Sequence, residues 1–314
     1  MRAVVLLLVH AARGEPWGAD AVAPHDVTDD ILGESHPRRV GELPLASGNP
    51  FAKAASSGGG LLAHPNAYAR LSATLEQTSG ARLTSNERLT LEMMRAQSSA
   101  IWVDAKTKLY GPAGSATVQG ALASAASRST PPLVVFVLYN LPNRDCAAMA
   151  SAGEICCVYA VDGRRCNLLS QDLGCKLGMW EYREQFVRPF SRLLAQYEQS
   201  SSVPVAVILE PDSLPNLVTN GNNPRCGPAT RKAYLEGVAF AVSHIATIAP
   251  RTHIYVDAGH GGWLGWDRMA AAFAKLVCSE LDVSSRLIRG FRCPHCRHNH
   301  DTRPRPPHMY SPRA

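Results

Sequence analysis

The chain has 314 residues, of which 46% are hydrophobic, so it is long enough for one large α/β domain with a substantial core. No apolar run in the sequence reaches the length that a membrane-spanning helix needs. The formal net charge is +6, but residues 292–314 contain five arginines and one aspartate, so the rest of the chain is close to neutral. This balance argues against nucleic acid or a membrane as a partner.

The first 60 residues show two patterns. Residues 1–12 contain one basic residue, Arg2, followed by an apolar run and small residues, which predicts a short secretory signal peptide. An ordinary disordered N-terminus is the alternative. Residues 13–60 lack sustained periodicity and end in SSGGG, so we expect a flexible leader with a domain starting near residue 61.

The chain contains nine cysteines, which favours an oxidising compartment and agrees with a secreted, extracellular protein. Cys156, Cys157, Cys166 and Cys175 lie within a short segment and predict a disulfide-stapled surface loop, with its connectivity open. Their spacing does not resemble an ordinary zinc site. Cys278 lies in an apolar helical pattern and is predicted to be a buried free thiol.

Helical and strand patterns alternate after residue 85. Strands are predicted at residues 100–103, 133–139, 205–209 and 253–256. Helices are predicted at residues 87–97, 117–127, 180–197 and 268–281. Ser85 or Asn86 is the predicted cap of the first, and Pro189 is predicted to kink the third. A further helix is predicted from the apolar stripe Tyr234, Val238, Val242 and Ile245. The alternation predicts parallel βα units in a barrel-like α/β fold with its site at one rim.

Acidic residues follow the predicted strands at Asp104, Asp145, Asp212 and Asp257. Ligands bind beyond the carboxyl ends of parallel strands, so we expect these side chains to share one cleft. Strand-end acids usually cap the turn that follows, which is the alternative for Glu210 and Asp212. Repetition of the pattern at four strands favours a catalytic site.

Tryptophans occur at the same strand ends. Trp102, Trp263 and Trp266 lie at strand ends or in the loops beyond them. Paired carboxylates with tryptophans predict glycoside hydrolysis, because a protonated carboxyl must give its proton to the leaving oxygen and sugar faces stack on aromatic rings. Asp212 is the candidate acid, with Asp145 raising its pKa by charge repulsion. Core packing is the alternative for any single tryptophan.

Three segments closely resemble glycoside hydrolase family 6, the inverting cellulases: residues 139–146 (YNLPNRDC), 208–220 (ILEPDSLPNLVTN) and 257–266 (DAGHGGWLGW). The resemblance covers roughly residues 49–291 and implies a catalytic domain at 61–291 with a distorted parallel (β/α) barrel. It implies hydrolysis of β-1,4-glucosidic bonds in cellulose or related β-glucans, with inversion and without a metal or organic cofactor. We expect a monomer whose partner is cellulose or a cello-oligosaccharide.

The resemblance also implies roles for individual residues. Asp212 matches the proton donor, and Asp145 matches the second aspartate, which tunes the donor and helps to place the attacking water. Tyr139 matches a tyrosine pressed against the distorted sugar, and Ser151 matches a serine that holds water. The implied substrate-binding residues are Trp102, Asp104, Tyr139, Arg144, Ser151, Asn216, Asp257, His260, Trp263 and Trp266.

The sequence also differs from the family pattern at some positions. Asn140 and Asn143 stand where the family typically has aspartates, which removes negative charge around Asp145. A disulfide between Cys146 and Cys226 is implied by the resemblance. The cysteine-rich segment 156–175 enlarges a loop that can help to roof the cleft.

Residues 292–314 form a basic tail rich in proline, histidine and arginine that does not resemble the family. Cys293, Cys296, His298 and His300 offer metal-binding atoms, but they are too crowded for a usual site. The family continues past residue 291 with further strands and a candidate base, so we expect the barrel to be incomplete. The alternative function is therefore an inactive or non-folding remnant that at most binds β-glucan.

Overall fold

Strands and helices alternate through the computed structural model. The described residues are 48–64, 84–95, 97–265 and 267–283, together with residues 70, 71, 73, 77 and 287. The strands are β1 (Ile101–Val103), β2 (Val134–Leu138), β3 (Val205–Leu209) and β4 (His253–Val256). The helices are α1 (Pro50–Ser56), α2 (Ser85–Arg95), α3 (Val118–Ala126), α4 (Lys176–Trp180), α5 (Arg188–Ser200), α6 (Ser213–Thr219), α7 (Pro228–Ile248), α8 (Gly261–Leu264) and α9 (Asp267–Lys275). Shorter 3-10 turns are Lys106–Lys108 and Pro224–Cys226, and π-helical stretches are Glu181–Val187 and Leu276–Glu280.

The four strands form one parallel sheet in the order β1-β2-β3-β4. Leu138 of β2 is in register with Val103 of β1 and with Leu209 of β3, and Leu209 is in register with Val256 of β4. The strands therefore end level, and the residues that follow them meet at one edge. The predicted parallel α/β fold is confirmed.

Both faces of the central strand β2 are covered. On one face Phe136 of β2 packs edge-on against Phe190 of α5, with 5.8 Å between the ring centres, inside the main core. On the other face Val135 and Ala206 pack with Ala54 of α1 in a smaller cluster. All five residues of β2 are buried, which is why VVFVL shows no alternation with polar residues.

Helix α1 lies in the segment that was expected to be a flexible leader. Its N-terminus is capped by Asn49, whose side-chain oxygen accepts a hydrogen bond of 3.0 Å from the amide of Phe51. Beyond the helix, the amide of Leu133 donates to the carbonyl of Gly60 at 2.9 Å. Residues 50–60 therefore belong to the sheet domain, and the leader prediction is corrected there.

Helix α2 begins earlier than the predicted start at residue 87. Thr84 takes the capping position instead of Ser85 or Asn86, because its hydroxyl accepts from the amide of Glu87 at 3.3 Å. The Glu87 carboxylate accepts from the amide of Thr84 at 2.8 Å in return. This is a capping box, and its signature of Thr followed three residues later by Glu is present in the sequence.

The helix predicted at residues 180–197 is longer and less regular than expected. It begins with α4, widens into the π-helical stretch Glu181–Val187 and continues as α5. Pro189 has no amide to donate, and its ring crowds the preceding turn of the helix. The wider π turn ends at Val187, shortly before Pro189, and the kink at Pro189 stays a prediction.

Three disulfide bonds link cysteines of the described residues: Cys146–Cys226, Cys156–Cys166 and Cys157–Cys175. The first spans 80 residues and is the pairing that the resemblance implies. The other two give the connectivity of the stapled loop. Cys278 is also disulfide-bonded, which corrects the prediction of a free thiol.

Among the described helices, none combines the length and apolar composition needed to cross a bilayer. Within the same residues, no three His, Cys, Asp or Glu side chains cluster as metal ligands would. The predicted signal peptide at residues 1–12 lies outside the described part of the chain, and so does the tail at 292–314, with Cys293, Cys296, His298 and His300.

Candidate active site

A cleft of about 530 Å³ lies where the chain leaves β2 and β3. It contains five of the predicted site residues, and its lining residues are Asp145, Ala147, Ala148, Asp212, Asn216, Asn220, Asn223, His260 and Trp263. The two predicted catalytic aspartates therefore share one cleft with one of the predicted sugar-binding tryptophans.

Asp212 is held by the neighbouring strand end. Its backbone has a positive φ of 65°, a conformation that aspartate tolerates better than most residues. Its amide donates a 3.0 Å hydrogen bond to Oδ2 of Asp257, which follows β4, and the amide of Gly259 donates to the same oxygen at 3.0 Å. Asp257 thus fixes the backbone from which the Asp212 carboxyl projects.

The pKa of Asp212 is raised above its ordinary value. Partial burial is the main cause, followed by the negative charge of Asp257 and then by that of Asp145, while His260 opposes the shift. The sequence predicted repulsion from Asp145, but Asp257 has the larger effect. A raised pKa keeps a carboxyl protonated to higher pH, as a general acid requires.

Asp145 belongs to a loop that folds back on it. Its φ is 57°, and its Oδ2 accepts a 2.7 Å hydrogen bond from the amide of Ser151. The amide of Met149 donates to the Asp145 carbonyl at 2.8 Å. Ser151 therefore orients Asp145 through its backbone, and the water-holding role of its hydroxyl stays a prediction.

Arg144 ties this loop to the sheet edge. Its guanidinium donates to the carbonyls of Ser151 at 2.7 Å and Asp104 at 2.8 Å, and also to the carbonyl of Tyr139. It also lies 4.5 Å from the centre of the Tyr139 ring. The guanidinium therefore forms its hydrogen bonds with backbone carbonyls of the protein, and Arg144 does not line the cleft.

Trp102 and Tyr139 pack together at the ends of β1 and β2. Trp102 is 37% exposed, and its ring meets the largely buried Tyr139 ring edge-on at 5.5 Å. Burial, followed by the charge of Asp145, raises the pKa of Tyr139, so its hydroxyl stays neutral.

Asp104 forms a 2.5 Å ion pair with Lys108.

Trp263 is fixed beside the cleft. Its Nε1 donates to the hydroxyl of Thr219 at 3.0 Å, and the His260 ring lies 6.1 Å away at a tilt of 53°. Gly259 has a φ of 64°, and a Cβ there would lie 3.2 Å from the Trp263 ring, so glycine allows the close approach. Trp266 lies outside the described residues.

Asn216 is buried and contributes to the cleft from α6. Its Oδ1 accepts a 2.7 Å hydrogen bond from the side-chain amide of Asn220, which is another lining residue. This bond orients the Asn216 side chain, and its predicted contact with substrate stays a prediction.

Asn140 and Asn143 are both buried and use their side-chain amides as donors. Nδ2 of Asn140 donates to Glu154 at 3.0 Å, and Nδ2 of Asn143 donates to the hydroxyl of Thr230 at 2.9 Å. An ionised aspartate has no proton to donate. The amide nitrogens of both residues therefore have acceptors, whereas Oδ1 of Asn140 is buried without a hydrogen-bond partner among the described residues.

From the sequence, Glu210 was expected at most to cap the turn that follows β3. It is fully buried and accepts hydrogen bonds from the amides of Asn140 and Leu141 and from the hydroxyl of Tyr182. The signal that points to such a role is an acid directly after a buried strand, since a buried carboxylate must find donors.

A family model described as glycosyl hydrolases family 6 matches residues 57–307. The matched range starts before residue 61 and extends past residue 291, the predicted limits of the catalytic domain. The match covers the cleft and all four strands of the sheet.

Individual relatives agree with the family match. A 1,4-beta-D-glucan cellobiohydrolase CEL6B of Podospora anserina is 38% identical over 165 residues, covering 51% of this chain and 34% of the relative. Exoglucanase A of Cellulomonas fimi is 32% identical over 205 residues, covering 64% of this chain and 21% of the relative. This chain thus spans about a third or less of the length of these relatives.

Among solved structures, the catalytic domain of Cellulomonas fimi Cel6B superposes with a TM-score of 0.61 at 28% sequence identity. The superposition covers 78% of this chain and 51% of that domain. The sheet described above is therefore the parallel sheet of such a catalytic domain. The chain belongs to glycosyl hydrolases family 6.

Proposed function

We propose that this protein hydrolyses β-1,4-glucosidic bonds in cellulose or related β-glucans, with inversion at the anomeric carbon. The observation that carries the proposal is the cleft in which Asp145 and Asp212 lie with Trp263. The names of the relatives, a cellobiohydrolase and an exoglucanase, support the same substrate class.

Asp212 acts as the general acid in this proposal. Its protonated carboxyl gives a proton to the glycosidic oxygen as the bond from that oxygen to the anomeric carbon breaks. Burial and the charges of Asp257 and Asp145 raise the pKa of Asp212, so its carboxyl stays protonated until the glycosidic oxygen takes the proton. Water attacks the anomeric carbon from the opposite face of the sugar, which inverts the configuration, and the proton that the water loses passes to the solvent, from which Asp212 is protonated again.

Asp145 helps to place that water. The amide of Ser151 holds its carboxylate from one side, and the carboxylate lines the same cleft as Asp212. The sugar rings stack on Trp263 and Trp102, and His260 and Asn216 bind sugar hydroxyls. Each of these contacts uses a residue at the carboxyl edge of the sheet.

The protein acts outside the cell as a monomer in this proposal. Cellulose is insoluble and extracellular, so an enzyme that degrades it must be secreted. Three disulfide bonds among the described residues support an oxidising compartment.

The test incubates the full chain with swollen cellulose and with cello-oligosaccharides. We expect reducing ends to appear and the α-anomer to form first, which NMR detects directly. Asp212→Asn is the matched inactive control. Absence of hydrolysis by the wild-type chain contradicts the proposal, and cello-oligosaccharide binding without hydrolysis supports the alternative of a glucan-binding remnant.

A further inference from the structure

Glu210 is a buried titratable group that the mechanism above does not use. It directly follows β3, has no exposed surface and has a positive φ of 47°. A carboxylate in such a place is costly unless donors surround it. Its hydrogen bonds therefore indicate what it does.

The side chain of Glu210 reaches from the end of β3 to the end of β2. There it accepts hydrogen bonds from the amide of Asn140 at 3.0 and 3.2 Å and from the amide of Leu141 at 3.1 Å. From the π-helical stretch, the hydroxyl of Tyr182 donates at 2.8 Å. The carboxylate thus links the two chain segments just beyond the strands.

We propose that Glu210 is a positioning residue that holds Asp145 and Asp212 in the arrangement that glycosidic-bond cleavage requires. The inference rests on the proposed function. Glu210 lies two residues before Asp212, and it binds Leu141, four residues before Asp145. Both aspartates have positive φ, which persists only where the surrounding structure enforces it.

The titratable and charged groups that interact with Glu210 are Tyr182, Tyr139, Tyr234 and Arg144. Burial raises the pKa of Glu210 to about 7, against the hydrogen bonds and the charge of Arg144. Both backbone partners are amides that can only donate, so the ionised form suits the geometry. Ionisation of Glu210 near neutral pH therefore changes the charge and the hydrogen bonding at the link between the two strand ends.

The experiment compares three variants of the full chain by steady-state kinetics on a cello-oligosaccharide. Glu210→Ala removes the link, and Glu210→Gln keeps its shape and one acceptor oxygen. Glu198→Ala is the matched control, because Glu198 is also buried and also accepts from a backbone amide, that of Arg251 at 3.0 Å, but it lies in α5 and not beside a catalytic aspartate.

We expect Glu210→Ala to lower kcat about 10²-fold with KM changed less than about 3-fold, since a small displacement of catalytic groups has that cost. Glu210→Gln should restore kcat to within about 10-fold and lose the pH dependence of kcat near pH 7. Glu198→Ala should stay within about 2-fold of wild type. Amide exchange at Asn140 and Leu141 should quicken in Glu210→Ala alone.

Equal kcat losses in Glu210→Ala and Glu198→Ala would overturn the proposal, because they would reflect general destabilisation. If Glu210→Ala does not fold, a Glu210→Gln pH–rate profile identical to that of wild type overturns it. A wild-type chain without hydrolysis contradicts the proposed function instead. In that case, unchanged amide exchange at Asn140 and Leu141 in Glu210→Ala contradicts the positioning role separately.

Discussion

Two connections each bring one aspartate to the cleft, and they are built differently. After β3 the chain reaches Asp212 within three residues, through a turn whose backbone is fixed by Asp257. After β2 the connection runs from residue 139 to residue 175, and Asp145 is held there by the Ser151 amide. Disulfide bonds stabilise this longer connection.

The two connections differ in what holds each aspartate: charged side chains set the pKa of Asp212, whereas disulfide bonds and hydrogen bonds fix the chain around Asp145. In the short turn, the carboxylate that fixes the Asp212 backbone also raises the Asp212 pKa. In the long connection, covalent links and the Arg144 guanidinium fix the chain. Changes to the carboxylates around Asp212 should therefore alter the pH dependence of activity, and loss of the disulfide bonds that hold the long connection should lower stability.

The largest expected effect is on the short turn itself. Asp212→Asn should lower kcat on cellulose about 10²–10⁴-fold, because it removes the proton donor and keeps the shape of the side chain. Cello-oligosaccharide binding by calorimetry should remain, since Trp263 and Trp102 are unchanged. Loss of binding together with turnover would assign Asp212 to the structure of the cleft.

Breaking the long connection should chiefly cost stability. In the loop-entropy model, the Cys146–Cys226 bond, which closes 80 residues, stabilises the folded protein by about 4 kcal/mol. Cys156–Cys166 closes only 10 residues and gives about 3 kcal/mol. Urea unfolding of the two double serine variants measures both values. Equal losses, or free thiols at 146 and 226 in peptide mapping, would contradict the expected ranking.

Glu210 should make the stability of the protein pH-dependent. Its pKa is raised from 4.5 to about 7 in the folded state, so the folded protein keeps a proton that the unfolded chain has lost. Stability should therefore fall between pH 4.5 and 7, by up to about 3 kcal/mol for this group. Glu210→Gln should remove that slope in urea unfolding at several pH values. A slope unchanged in Glu210→Gln would assign it to other groups.

The smallest expected effect distinguishes the two carboxylates beside Asp212. Asp257→Asn and Asp145→Asn each remove a negative charge, so the pKa of Asp212 should fall and the basic limb of the pH–rate profile should move to lower pH. The shift should be larger for Asp257→Asn. Asp162→Asn, in the exposed part of the stapled loop, should leave the profile unchanged. A larger shift for Asp145→Asn would reverse the ranking.

Strand positions followed directly from the sequence. Residues 205–209 and 253–256 were predicted with the bounds that the structure shows, because short apolar runs end sharply at acids. The helix over 180–197 was predicted less well, since a hydrophobic stripe of helical period does not distinguish an α-helix from the π-helical stretch Glu181–Val187. Helix α1 was missed because the SSGGG run at its end masked the capping signal of Asn49.

Several residues of the candidate site could be predicted from the sequence, but the contacts between them could not. Five predicted residues line the cleft, because parallel strands bring their carboxyl ends to one edge. Which carboxylate acts most strongly on Asp212, and which donors surround Glu210, depend on the register between strands. The hydrogen bonds from Asp212 to Asp257 and from Asn140 to Glu210 join residues 45 and 70 positions apart, and local patterns of residues do not report such pairings.

The role of Asp212 as the general acid is tested by comparing two cello-oligosaccharide substrates that differ only in their leaving group. One releases a sugar alcohol, which needs a proton, and the other releases an activated phenolate or fluoride, which does not. Asp212→Asn should lose about 10²–10⁴-fold in kcat on the first and far less on the second. Equal losses on both substrates would contradict the claim and give Asp212 a structural role.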